Sequence, residues 1–258
     1  MGSGGGKTRH PGKCGSRHGE SCRICVWLFM CPWAPSKEAR AIARAGTAGS
    51  AAEAAETSRP STYGEVTPLG VRQIGRALGL DKLAGEPAVF MDLGSGVGKL
   101  VAQAYLEWPA VVRAVGVELS HTRAASARAA WGDLSASGDA AELRAAAAAL
   151  GSGPRPPAPG EIVFLEGDLF EVDVSEATHI YLASLCFSDG MLSRVAGKLS
   201  AEAARLRAVA SLRRFPGGLP GFEGNGSVEA RMSWSQPRTP LATTAPFVPT
   251  PSAGKSGA

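Results

Sequence analysis

Asp92-Leu93-Gly94-Ser95-Gly96-Val97-Gly98-Lys99 follows directly on the apolar run Ala88-Val89-Phe90-Met91. The junction reads as a strand that breaks into a glycine turn and opens a helix. Glycines there permit positive φ and close backbone approach. The helix behind them offers free N–H groups and the positive end of its dipole to a negatively charged group. A turn of this build holds a nucleotide-like cofactor, and spacing separates the kinds. A phosphate loop of the G-x-x-x-x-G-K-[ST] type fails, because Leu93 stands where the first glycine belongs and Leu100 where the Mg²⁺-binding hydroxyl belongs. The dinucleotide fingerprint G-x-G-x-x-G fails as well, since Gly98 comes one residue early.

What remains is D-x-G-x-G-x-G, which resembles motif I of class I S-adenosylmethionine (SAM) methyltransferases. In that family the strand-end carboxylate, here Asp92, helps order the turn and the methionine end of the cofactor. The glycine backbone, here Gly94, Ser95, Gly96 and Gly98, packs against the cofactor itself. Two further strand ends support the reading. The apolar run Val111-Val112-Arg113-Ala114-Val115-Gly116-Val117 ends in Glu118, about twenty residues past the glycine turn, where a carboxylate accepts ribose hydroxyl protons. Glu161-Ile162-Val163-Phe164-Leu165-Glu166-Gly167-Asp168 is a third strand ending in an acidic turn, and the resemblance implies that Asp168 meets the adenine amine. Taken singly, Glu118 reads as a solvated loop residue and Asp168 as a helix cap. Their order and spacing together favour a cofactor site.

The chain has 258 residues, enough for one domain of this class with extensions. Residues 1–59 begin with Gly, Ser, Lys and Arg, turn Ala-rich and lack hydrophobic periodicity, so they read as a low-complexity, disordered extension. Residues 60–235 read as the methyltransferase-type domain, and 236–258 as a tail rich in Pro, Ser and Thr. The net charge is +4, and Lys7, Arg9, Lys13, Arg17, Arg23, Lys37, Arg40 and Arg44 carry much of the excess. That basic segment suits nucleic-acid contact, an organelle transit peptide or an unselected extension alike. The apolar run Ile24–Met30 is far too short to span a bilayer, so no membrane partner is expected. Four of the five cysteines, Cys14, Cys22, Cys25 and Cys31, cluster near His18. The second ligand pair of a zinc finger or ribbon is missing, and no metal site is expected. The lone core Cys186 implies no disulfide framework.

Along the domain, Thr67-Pro68 marks a helix start, with the hydroxyl at the N-cap and proline at the first helical position. A helix from about Lys99 to Leu106 ends before Trp108-Pro109, and Ser120 opens another through Arg123, Arg128 and Trp131. Residues 135–160, with Ala145–Ala149 and Gly151-Ser152-Gly153-Pro154-Arg155-Pro156-Pro157, read as a low-complexity surface insertion. Then come a strand at His179–Leu182, a helix with Met191, Leu192, Val195 and Leu199 inward, and strands at Ala208–Leu212 and Val228–Trp234. Alternating β and α elements predict an α/β fold with a doubly wound, mainly parallel, Rossmann-like sheet and disordered termini. Its ligand should sit at the carboxyl ends of the strands.

Residues 63–234 resemble a narrower family, the histone-lysine methyltransferases of the disruptor-of-telomeric-silencing type, which lack a SET domain. The carriers are Tyr63-Gly64-Glu65, Phe90-x-Asp92-Leu93-Gly94-Ser95-Gly96-Val97-Gly98, Val115-Gly116-Val117-Glu118, Gly167-Asp168, Phe187 and Ser233-Trp234. The resemblance implies that Tyr63 and Glu65 lie in a loop closing over SAM, that Glu118 holds the ribose and that Phe187 walls a lysine channel. It also implies a nucleosomal substrate, a nuclear location in preference to cytoplasm or an organelle, and a monomer. Three departures stand out. Family enzymes carry paired asparagines where this chain has Ala183-Ser184, no basic extension for nucleosomal DNA is clearly present, and Pro237, Pro240, Pro246 and Pro249 argue against the last strand due after Trp234.

Methyl transfer asks the enzyme to align an acceptor lone pair with the methyl carbon and to exclude water. An apolar channel promotes loss of the lysine proton by lowering its pKa. Tyr181, Leu185 and Phe187 are the candidates for that wall, with ordinary core packing as the competing reading. The acceptor-amine segment [ND]-P-P-[YF] is absent at Ala183-Ser184-Leu185-Cys186, and no Pro-Cys context marks Cys186 as a nucleophile. Two rivals remain: a small-molecule methyltransferase, and a SAM-binding protein that has lost catalysis.

Overall fold

The computed structural model describes residues 65–83, 86–150 and 160–233, and residues 24–30 as backbone. Seven strands form one sheet: β1 (Ile24–Met30), β2 (Ala88–Leu93), β3 (Val111–Glu118), β4 (Glu161–Glu166), β5 (His179–Leu182), β6 (Ala208–Ser211) and β7 (Glu223–Ala230). Among the described residues five α-helices accompany them: α1 (Pro68–Ala77), α2 (Lys99–Glu107), α3 (His121–Ala136), α4 (Asp139–Leu150) and α5 (Asp189–Glu202). The strand order is β4-β3-β2-β5-β6-β1-β7. Strands β4, β3, β2, β5 and β6 are mutually parallel, and β1 runs antiparallel to both β6 and β7. The order reverses between β2 and β5, which makes their carboxyl ends the switch point where such sheets bind ligands.

Period-two alternation sorts the strand residues between two cores. Phe90, Ala114, Phe164, Tyr181, Ala208 and Ala210 face the layer of α1, α2 and α3, where Ile74, Leu78, Val101, Ala104 and Tyr105 are buried. Met91, Leu93, Val115, Val117, Ile180 and Leu182 face α5, through Leu192, Val195 and Leu199. Helix α1 starts as its sequence predicts: the Thr67 hydroxyl accepts the Gly70 N–H at 3.1 Å, with Pro68 at the first helical position. Gly75 is required there, because a Cβ would lie 2.1 Å from the Trp108 ring.

Three expectations are corrected. Residues 24–30 fall within the stretch whose composition reads as a disordered extension, yet they form β1. Trp27, Leu28, Phe29 and Met30 register with Ser211, Ala210, Val209 and Ala208 of β6. Among the described residues β1 is the one strand beside β7, so it takes an inner place in the sheet. A seven-residue apolar run is too short for a bilayer but suits an interior strand. The second correction concerns 135–160, where Asp139–Leu150 is a helix rather than an irregular insertion. Alanine is the strongest helix former, and Arg144 pins α4 by donating to the carbonyls of Tyr105, Pro109 and Val111 while its guanidinium stacks on the Tyr105 ring. Thirdly, β7 begins at Glu223, ahead of the expected Val228, and includes Gly224 and Gly226, which weaken any strand signal. The expected tail at 236–258 and the cysteine cluster outside β1 lie beyond the described residues.

Candidate functional site

The register of the parallel strands brings the acidic ends to one edge. Asp92 pairs with Gly116 of β3 and with Tyr181 of β5, and Glu118 pairs with Glu166 at the end of β4. Between them lies the glycine turn. Gly94, Gly96 and Gly98 all have positive φ, at 97°, 56° and 78°. Gly94 N–H and Ser95 N–H both donate to the Val117 carbonyl, at 2.8 and 2.9 Å, which ties the turn to β3. The turn is cramped beneath and open at its tip: a Cβ on Gly98 would lie 2.3 Å from the Phe164 ring, whereas a Cβ on Gly94 would meet nothing within 4 Å.

Glu118 is buried, and both of its oxygens accept hydrogen bonds. Its Oε2 accepts the Gly96 N–H at 2.9 Å, and its Oε1 accepts Ser120 N–H at 2.8 Å together with Arg123 Nε and Nη2 at 3.0 and 2.8 Å. Ser120 sits at the N-cap of α3 without a side-chain cap bond; its contribution is the backbone N–H given to Glu118. Asp92 is 3% exposed, and its Oδ1 is buried without a hydrogen-bond partner. Burial, with Glu118 adding repulsion, pushes its carboxyl up to about 8. Asp168 is exposed, and its Oδ1 accepts the Phe170 N–H at 2.9 Å, the local turn that its residue type favours.

Glu65 reaches this edge from the segment before α1. Its Oε2 accepts Lys99 Nζ at 2.6 Å, at the first residue of the helix that leaves the glycine turn. Its backbone is bonded to Ser233, which donates N–H to the Glu65 carbonyl at 2.7 Å and accepts the Glu65 N–H on its hydroxyl at 3.0 Å. Val66 and Met232 complete that antiparallel bridge. Tyr63 and Trp234 lie outside the described residues.

On the β5 side Tyr181 departs from the expected channel wall. Tyr181 is 1% exposed and belongs to the core beneath α1 and α2, on the face it shares with Asp92, so it lines no open channel. Burial, reinforced by Asp92, raises its hydroxyl well above the ordinary range, and that hydroxyl is buried without a hydrogen-bond partner. Leu185 is exposed, and Phe187 is half-buried against the α5 layer. Ser184 spends its hydroxyl internally, on Ser211 Oγ at 2.7 Å and the Arg213 N–H at 2.9 Å. Arg213 in turn holds this loop, donating to the Phe187 carbonyl and to Asp189. Asp92 and Glu118 stand at the strand ends around the turn, and Asp168 two residues past the end of β4, as the sequence places them. The contacts of Lys99 with Glu65, Arg123 with Glu118 and Ser233 with Glu65 are not encoded in the spacing of those residues. Among the described residues no group of three or more His, Cys, Asp and Glu could hold a metal, and no helix is long and apolar enough to cross a membrane.

The sheet order and a glycine turn between two acidic strand ends define a doubly wound, Rossmann-like domain. The family model of the histone methylation protein DOT1 matches residues 52–137, and over that segment the chain resembles this family. Solved structures similar to the chain include an RNA methyltransferase from Salinibacter ruber in complex with S-adenosyl-L-homocysteine (29% identity, 48% of this chain, 63% of that one, TM-score 0.32). Two SAM-dependent methyltransferases in complex with the same molecule are also similar. The one from Geobacter sulfurreducens has 19% identity over 72% of this chain and 54% of that one, with a TM-score of 0.34. The one from Thiobacillus denitrificans has 20% identity over 55% and 45%, with a TM-score of 0.33. The chain thus spans between 45% and 63% of the length of these three proteins. No curated protein matches it significantly.

Proposed function

We propose that the chain is a SAM-dependent methyltransferase acting on a lysine of a histone, with the nucleosome as protein substrate and the nucleus as its place of action. The single observation that carries the cofactor is the placement of two buried carboxyls, Asp92 and Glu118, at the ends of adjacent strands on either side of the glycine turn, with Glu118 holding the Gly96 N–H. The residues fit SAM. Open space above Gly94 leaves room for a ligand against the backbone, and Asp92, at the end of the strand leading into that turn, carries an unpartnered carboxyl oxygen. When bound, the cofactor supplies an electrophilic methyl group on a sulfonium. In this reading Asp92 faces its methionine end, Glu118 takes the ribose, Asp168 offers its second oxygen to the adenine amine, and Glu65 with Tyr63 closes the mouth. Phe187 and Leu185 form the apolar approach that favours a neutral acceptor amine.

The histone substrate rests on the family match at residues 52–137 and on the Tyr63-Gly64-Glu65 segment. One observation favours a second reading, a SAM-binding protein without catalysis: the hydroxyl of Ser184 is consumed by Ser211 and Arg213, leaving no side-chain amide at the acceptor end. Incubating the full chain with tritiated-methyl SAM and nucleosomes, free histones or a metabolite extract separates the readings. Label in histone lysines is expected. Label only in small molecules, or SAM binding with no transfer, would overturn the histone assignment.

A further inference from the structure

The two oxygens of Glu118 are not equivalent. Oε1 takes three donors, the Ser120 N–H and two from Arg123, whereas Oε2 takes only the Gly96 N–H. An ionised carboxylate offers about four acceptor positions, so the vacancy lies on Oε2, at the glycine turn. Arg123 stands in the first turn of α3, five residues after Glu118, with its side chain 31% exposed against 7% for the glutamate. Two guanidinium N–H groups converging on Oε1, with the Gly96 N–H on Oε2, hold the carboxylate from both ends.

We propose that Arg123 is a positioning residue that turns Oε2 of Glu118 toward a ribose hydroxyl and so sets the preference for a ribose over a deoxyribose cofactor. This rests on the cofactor reading given above. Arg123 touches no ligand in this scheme; it acts through Glu118. A purely structural ion pair would stabilise the β3–α3 corner without affecting which sugar is preferred.

The test is calorimetric binding of S-adenosyl-L-homocysteine and its 2′-deoxy and 3′-deoxy analogues to the full chain, as wild type, Arg123→Ala and Arg123→Lys, with thermal midpoints recorded to establish folding. Wild type should bind one deoxy analogue about tenfold to a hundredfold more weakly than the parent, the range for a hydrogen bond to a charged group. Arg123→Ala should bind the parent at least about tenfold more weakly and lose most of that discrimination. Arg123→Lys, which keeps the charge without the paired donors, should fall between them. Arg123→Ala weakening all three ligands equally, with discrimination intact, would overturn the inference alone. Folded wild type that binds none of the three would overturn the cofactor reading together with it.

Discussion

Replacing Asp92 by asparagine raises the thermal midpoint of the ligand-free protein, and the gain widens with pH. Asp92 is buried with a partnerless oxygen and a carboxyl pushed up to about 8, from an ordinary value of 3.8. Between those values the folded protein keeps a proton that the unfolded chain releases. Stability associated with this group is complete below about pH 4 and falls as pH rises toward 8, at up to about 1.4 kcal/mol per pH unit. Asparagine has no such dependence. The variant should match wild type near pH 4 and exceed it by about 5 kcal/mol at pH 8, or roughly 10 °C or more in midpoint. Calorimetric or circular-dichroism melts of both proteins across this range give the difference directly. A constant difference would mean that the Asp92 carboxyl is ionised throughout and solvated. The same variant should bind SAM more weakly, since the site sacrifices stability in its empty state for an acceptor.

Removing residues 1–30 should collapse the β6–β7 side of the sheet. Strand β1 is hydrogen-bonded to β6 on one side and β7 on the other, and among the described residues β7 has no other strand beside it. Its loss bares an edge of β6 and detaches the segment that delivers Ser233 to Glu65. The shortened chain, residues 31–258, should melt at least about 10 °C lower or fail to stay soluble, a loss of roughly 3 kcal/mol or more. An unchanged midpoint would show that β1 is dispensable to the fold.

The parts of the fold legible in the sequence are those encoded locally. Asp92 through Lys99 carries strand end, turn and helix start in eight consecutive residues, and Glu118 and Asp168 each close an apolar run. The pairing of β1 with β6 was not legible, because Ile24–Met30 meets Ala208–Ser211 across most of the chain and an apolar run does not name its partner. Helix α4 was hidden by composition: a run of alanines looks like low complexity, although the same residues propagate a helix once Arg144 anchors it. Tyr181 illustrates a finer point. Its strand was recognisable, but its face follows from the register that sets it beside Asp92, and that places the ring in the core rather than on a channel wall. The Arg123–Glu118 contact was likewise invisible, since only the turn into α3 brings those residues together.

Titration of the full chain with SAM by calorimetry, wild type beside Glu118→Gln, tests most directly that the acidic strand ends around the glycine turn form a cofactor site. Binding in the micromolar range is predicted for wild type, weakened at least about thirtyfold in the variant, which loses the charge that holds Arg123 and meets the ribose. Absence of binding by folded wild type, or equal affinity in the two proteins, would contradict the account.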